Sequence, residues 1–215
     1  MRLAELSERS GISTATVKYY LREGLLPPGR RVSATHAEYE ETHLRRLGLI
    51  RALTQVGRLP VATAREVLAC VDDTSLDQHS RIGAAVWALP HGDRPAPDDP
   101  EADGAERTAQ ALLKELDWEF SQSAGPASPA YRMLVGAIAA LRRLGYPCGQ
   151  ENLLPYARAA AQVASRDLDL VAGIDDAEEQ IEAAVACTVL YEPVLLSLRR
   201  LAEAEESNRR FSEEG

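Results

Sequence analysis

Residues 3–26 read LAELSERSGISTATVKYYLREGLL, and this stretch decides how the rest of the chain is read. Two short helices, over residues 2–10 and 14–23, meet at Gly11-Ile12-Ser13. Gly11 can take the positive φ that ends the first helix and turns the chain. Ser13 suits the N-cap of the second, where its hydroxyl accepts from an amide left unpaired one turn in. Leu3, Leu6, Ile12, Val17 and Leu21 fall at spacings that let them meet between the helices, with Tyr20 beside them. Thr14, Ala15, Lys18, Tyr19 and Arg22 are left on the opposite face. A small residue, hydroxyls and cations on one short helix suit a DNA major groove.

The string VKYYLREGLL at residues 17–26, closed by Pro27-Pro28, resembles the second helix of the MerR family of transcriptional regulators. The likeness runs on through Tyr39, Leu44-Arg45-Arg46-Leu47 and Ile50-Arg51-Ala52-Leu53 to residues 60–71, about the first third of the chain. It implies a mostly all-α chain: an N-terminal winged helix-turn-helix with a small two-stranded wing, then a helical C-terminal domain. By the same resemblance Thr14, Ala15 and Lys18 approach bases. Ser13, Thr16, Tyr19, Arg22, Arg30, Arg31 and Tyr39 hold phosphates. The partners implied are double-stranded promoter DNA, a second copy of the chain, and RNA polymerase indirectly. A homodimer would read a palindrome and distort it.

Two departures from the family pattern stand out. Many members carry Asn-Gly-Tyr-Arg-x-Tyr in the wing, whereas this chain has Ala34-Thr35-His36-Ala37-Glu38-Tyr39. The wing arginine is therefore replaced by alanine: either Arg30 or Arg31 takes over its backbone contact, or binding is weaker at this edge. Second, the helix expected to pair with its twin, residues 76–89, is short, contains Gly83 and ends at Pro90.

Charge is distributed unevenly. Residues 1–60 hold ten Lys/Arg and six Asp/Glu, while the remainder holds fourteen and twenty-seven. A basic head on an acidic body fits a DNA reader better than a general polyanion binder. Three widely spaced cysteines, without a CxxC pair, fit a reduced, cytoplasmic compartment. No signal peptide and no apolar run of membrane-spanning length are read in the chain, so no membrane partner is expected.

Downstream, a helix is expected from about residue 40 to 56, with Arg45, Arg46 and Arg51 off its apolar face and one of them free to contact DNA. Another follows over 60–71. Residues 91–104, HGDRPAPDDPEADG, read as a linker. The partition is then 1–73 as the DNA-binding domain, 74–104 as connecting helix and linker, and 105–215 as a helical effector and dimerisation domain. Four helices are expected in that last part: 105–120, 129–144, 154–170 with Pro155 in its first turn, and a final stretch capped by Asp175. Pro193 should kink or split the final stretch, whose apolar stripe suits self-association.

Catalytic patterns are missing. There is no phosphate loop, GxSxG or HExxH, and the four histidines have no ligand spacing. The residues therefore point to a protein that is not an enzyme, without cofactor or metal. Trp87, Trp118, Tyr131, Tyr146, Tyr156 and Tyr191 can serve either as core or as walls for a small organic effector. The alternative to a regulator is a helical ligand-sequestering or protein-interaction module with a degenerate DNA-binding head.

Overall fold

A computed structural model describes residues 1–33, 36–90 and 99–212. The chain is mainly α-helical, with one two-stranded antiparallel ribbon. It forms two compact units, residues 1–88 with 171–215, and residues 89–170. The sequence expectation placed everything after 104 in one domain. Instead the last helix packs with the first 88 residues.

In the first unit, α1 (Leu3–Ser10) stops where Gly11 adopts φ 66°, and α2 (Thr14–Arg22) starts one turn later. Leu6 and Val17 are fully buried between them, and Ile12 and Tyr20 nearly so. Gly24, at φ 73°, reverses the chain so that the Leu25 and Leu26 amides donate to the Tyr20 carbonyl at 3.0 and 3.3 Å. Both leucines then enter the core. The ribbon follows as β1 (Arg30–Arg31) and β2 (Ala37–Glu38), with Arg30 opposite Glu38 and Arg31 opposite Ala37. Ala34 and Thr35, where the wing departs from the family pattern, lie outside the described residues.

Helix α3 (Glu41–Arg51) is preceded by a capping box between Glu40 and His43. Its last part differs from expectation: Ala52–Val56 is a π-helical turn rather than more α-helix. The wider turn brings Leu53 fully inside and ends at Gly57. A Cβ at Gly57 would stand 2.6 Å from Cγ1 of Val189, so only glycine admits the last helix this closely. Helices α4 (Val61–Asp72) and α5 (Gln78–Trp87) complete this half.

The last helix, α10 (Ala177–Phe211), runs 35 residues and packs on α5, the π-turn and α3. Asp176 caps it, accepting from the Glu179 amide at 2.8 Å; the cap expected at Asp175 is thus shifted by one residue. Pro193 lies inside the helix and does not split it. A proline removes one backbone bond, and the buried residues Ile181, Ala184, Val185 and Val189 anchor the segment before it. By length and composition this helix could cross a membrane, with mean hydropathy 1.6 over its most apolar stretch, where the sequence reading saw no such run.

Two buried arginines fasten α10. Arg46 is 7% exposed and ion-paired to Asp72 and, at 3.4 Å, to Glu182. Arg81 is 6% exposed; its Nε donates to the Val71 carbonyl at 2.9 Å, and its Nη1 and Nη2 donate to Glu178 at 2.6 and 2.5 Å. Arg45 reaches Glu182 and Glu179 at 3.9 and 4.0 Å, and Arg51 donates to the Ser10 carbonyl at 3.3 Å. Of the three α3 arginines, Arg46 is thus withdrawn from the surface, while Arg51 stays exposed.

The second unit comprises α6 (Ala102–Glu115), α7 (Glu119–Ala124), a 3-10 turn at Gly125–Ala127, α8 (Pro129–Arg143) and most of α9 (Gln150–Ala172). The single helix expected over 105–120 breaks at Asp117, which takes φ 53°. Helix α9 begins four residues earlier than expected, so Pro155 falls in its second turn. The core is Ala105, Ala109, Leu113, Tyr131, Val135, Ile138, Ala139 and Cys148, with Trp118 against it. Of the linker expected at 91–104, residues 91–98 lie outside the described residues, and 102–104 already belong to α6.

Replacing Arg81 by Ala leaves the Val71 carbonyl and Glu178 without their donor. It should lower unfolding stability by about 2–4 kcal/mol in urea titrations. The Arg81 hydrogen bonds also hold the Glu178 carboxyl below its usual 4.5. A depressed carboxyl contributes stability that is full above that ordinary value and is lost as pH falls through the lower folded one. Glu178→Gln should therefore flatten the acid limb of the stability–pH curve below about pH 4.5 relative to wild type.

Candidate nucleic-acid interface

The face of α2 opposite the core is laid out by its cap. Ser13 Oγ accepts from the Thr16 amide at 3.1 Å and lies 2.8 Å from Thr16 Oγ1. Those two hydroxyls, with exposed Thr14, Ala15 and Lys18, form a continuous row at the helix N-terminus. The unpaired amides of that first turn carry the positive end of the helix dipole, which favours an approaching anion.

Farther along α2, Tyr19 is half-buried, its ring 5.9 Å from that of Tyr20. The guanidinium of Arg22 lies over the Tyr19 ring at 5.2 Å, and its Nε is 3.4 Å from Glu23. Beyond the row, Arg65 from α4 pairs with Glu23, donating to its carboxylate at 3.1 Å and to its carbonyl at 2.8 Å.

The ribbon contributes unequally. Arg30 is ion-paired with Glu38 across the strands, so its charge is partly spent at home. Arg31 is exposed and makes no ion pair with any described residue. Of the two candidates to replace the lost wing arginine, Arg31 is the one with a free guanidinium.

Tyr39 stands apart from the other nine candidates. It is only 6% exposed, with its ring edge-on to His43 at 5.2 Å and against Gly29, where a Cβ would come within 2.9 Å. Its amide donates to the Met1 carbonyl at 2.8 Å, and its carbonyl accepts from the Met1 amino group at 2.6 Å. The chain start is stitched to the root of the ribbon through this residue. Sequence reasoning set Tyr39 among surface contacts and missed this support role, because the pairing spans 38 positions and has no local signature.

Arg9 and Glu41 make a two-pronged pair at 2.6 and 2.9 Å that ties α1 to the start of α3. Among the described residues no group of three or more His, Cys, Asp or Glu side chains could hold a metal, and none of the three cysteines forms a disulfide. The arrangement is therefore one of surface and charge: an exposed helix N-terminus flanked by a short ribbon.

Comparison with known proteins bears on this surface. Residues 1–70 match the family model described as MerR HTH family regulatory protein. The chain is 38% identical over 50 residues to an HTH-type transcriptional regulator ZntR homolog of Haemophilus influenzae, a match covering 23% of this chain and 37% of that protein. It is 30% identical over 57 residues to the HTH-type transcriptional regulator AdhR of Bacillus subtilis, covering 26% and 41%. The chain thus spans about two fifths of the length of the curated relatives it matches. Over its full length it is similar to the crystal structure of SCO5550, a proposed transcriptional regulator from Streptomyces coelicolor A3(2). Identity there is 52%, coverage is 100% of both chains, and the TM-score is 0.84.

Ser13 combines a cap with an exposed position, and two substitutions separate them. Ser13→Ala should destabilise by about 1 kcal/mol in thermal melts, because the cap is lost. Ser13→Asp keeps an acceptor at a position that tolerates negative charge and should stay within about 0.5 kcal/mol of wild type.

Proposed function

Since residues 1–70 form a MerR-family helix-turn-helix domain and the whole chain is similar to a transcriptional regulator, we propose that it works as a homodimer on a palindromic promoter element in the cytoplasm. In this reading Thr14, Ala15 and Lys18 meet base edges in the major groove. Ser13, Thr16, Tyr19, Arg22 and Arg31 hold phosphates, with Arg30 contributing once it exchanges Glu38 for DNA. Tyr39 acts from beneath, fixing the ribbon's root. The observation that carries the reading is the exposed α2 row, capped at Ser13, with Glu23 at its far end paired to Arg65.

Dimerisation is assigned to α10. Beyond Val189 the helix is no longer covered. Leu190, Val194, Leu198 and Leu201 recur at three- and four-residue intervals and are 38–63% exposed, with Tyr191 and Leu195 beside them. Such a seam on one long helix suits an identical helix from a second copy. Helix α5, the shorter candidate, is occupied by α4 and α10 within its own chain. Two copies of the α2 row related by a twofold would read two half-sites in successive major grooves. Distortion of the DNA between them would realign promoter elements for RNA polymerase at a cost set by the spacer sequence. A small organic effector held by the second unit would tune that distortion. The residues assigned are binding and positioning groups, and none is given a catalytic role.

Gel shifts on genomic fragments recovered by pull-down test the head. Lys18→Ala should weaken binding by about five- to thirty-fold and reduce the salt slope by about one ion. Ser13→Asp should weaken it with stability retained. If Lys18→Ala, Tyr19→Phe and Ser13→Asp all bind as wild type does, the α2 row is not the DNA-reading surface. Sedimentation tests the seam: Leu198→Glu should convert a dimer to a monomer with its helix content intact. A dimer that persists would move the seam elsewhere.

A further inference from the structure

The second unit carries an open pocket of about 450 Å³ along α6, bounded by Gln122 of α7, the turn at Gly125 and Pro126, and Tyr131 of α8. That volume lies in the range that houses small organic ligands. Arg107, Gln110, Ala111 and Lys114 line it from α6, at the i, i+3, i+4, i+7 spacing of one helix face. The opposite face of α6, with Ala105 and Ala109, is in the core. The cavity is therefore built on a helix held rigid from behind.

Tyr131 is 7% exposed, and its hydroxyl is buried beside the Gln110 side chain. Gln122 is engaged with the Leu113 carbonyl at 3.4 Å. Arg107 and Lys114 make no ion pair with any described residue. In the same unit Arg142 is paired with Glu101 at 2.7 Å, Arg143 with Asp99, and Arg132 donates to the carbonyls of Pro126 and Ala127 at 2.9 and 2.8 Å. No Asp or Glu lines the cavity. Burial raises the Tyr131 phenol above its ordinary 10.0, the nearby Glu106 carboxylate adds to this, and the Gln110 amide opposes it. The phenol is thus a protonated donor at neutral pH.

We propose that this cavity binds a small organic carboxylate. Its anionic head would be clamped by Arg107 and Lys114 and accept from the Tyr131 hydroxyl. Its apolar body would lie on Ala111, Leu113 and Pro126. Charge-assisted hydrogen bonds from a guanidinium are the strong ones available to such a head. The assignment deepens the effector reading above and rests on it for its regulatory meaning.

The test uses the full chain and three probes of one shape: indole-3-acetate (anionic), indole-3-acetamide (neutral) and tryptamine (cationic). Ligand-observed NMR titration should give indole-3-acetate a dissociation constant of about 0.1–1 mM, at least about fivefold tighter than the other two. Arg107→Gln and Tyr131→Phe should each weaken it by about fivefold or more. Arg107 is exposed and Tyr131→Phe removes one oxygen, so thermal melts of both should match wild type within a few degrees. Equal or tighter binding of the acetamide or tryptamine overturns the proposal, as does indifference to both substitutions or no binding of indole-3-acetate at millimolar concentration. Gel shifts on the same preparations separate the two readings. Intact DNA binding without carboxylate preference removes the cavity assignment alone. Carboxylate preference without DNA binding removes the regulator reading alone.

Discussion

A guanidinium taken out of water must find its charge answered nearby, and in the first unit two of them find it on the chain's last helix. Arg46 and Arg81, both more than nine-tenths buried, meet Glu182 and Glu178, one turn apart near the start of α10. Breaking a buried pair costs far more than forming it gains. The pairs therefore contribute mainly to register: they fix which side of α10 lies inward and how far along it sits. Glu182 shows the strain of the arrangement, since burial raises its carboxyl above the usual range despite Arg46 and Arg45 alongside. Gly57 completes the fit by letting Val189 approach the π-turn at a distance no Cβ would allow.

Once α10 is so held, the rest of the first unit follows. Its inward side covers α3, the π-turn and α5, and the same rotation leaves the residues beyond Val189 exposed. The seam proposed for a second copy is thus a consequence of how the buried arginines orient the first two turns. Of the α3 arginines, Arg45 and Arg46 face α10, and Arg51 donates to the Ser10 carbonyl.

The second unit makes a complementary use of charge. Around its small-residue core, Arg142 and Arg143 are tied to acidic partners, whereas Arg107 and Lys114 on one face of α6 are not. Those two cations stand exposed on the α6 face beside the buried Tyr131 phenol. An acidic chain can thus carry two local surfaces for anions, one for a polyanion and one for a small molecule.

The sequence by itself determined the head. Gly11, Ser13, Val17, Tyr20 and Gly24 act through neighbours three or four positions away, so cap, elbow and helix face were legible locally, as was the exposed α2 row. In the second unit α8 and α9 were legible, whereas the one helix expected over 105–120 is two, α6 and α7. The break at Asp117 needs a positive φ, which Asp adopts more readily than most residues but which its neighbours do not signal, and α9 extends ahead of Pro155 at the loss of one backbone bond. Only the tertiary structure decided the rest. It took Arg46 and Arg81 out of solvent, set Tyr39 beneath the ribbon against Met1, and returned residues 177–211 to the first 88. Those outcomes depend on partners 38 to more than 130 positions away (Tyr39 with Met1, Arg46 with Glu182), and hydrophobic periodicity carries no information about which distant carboxylate will answer a buried charge.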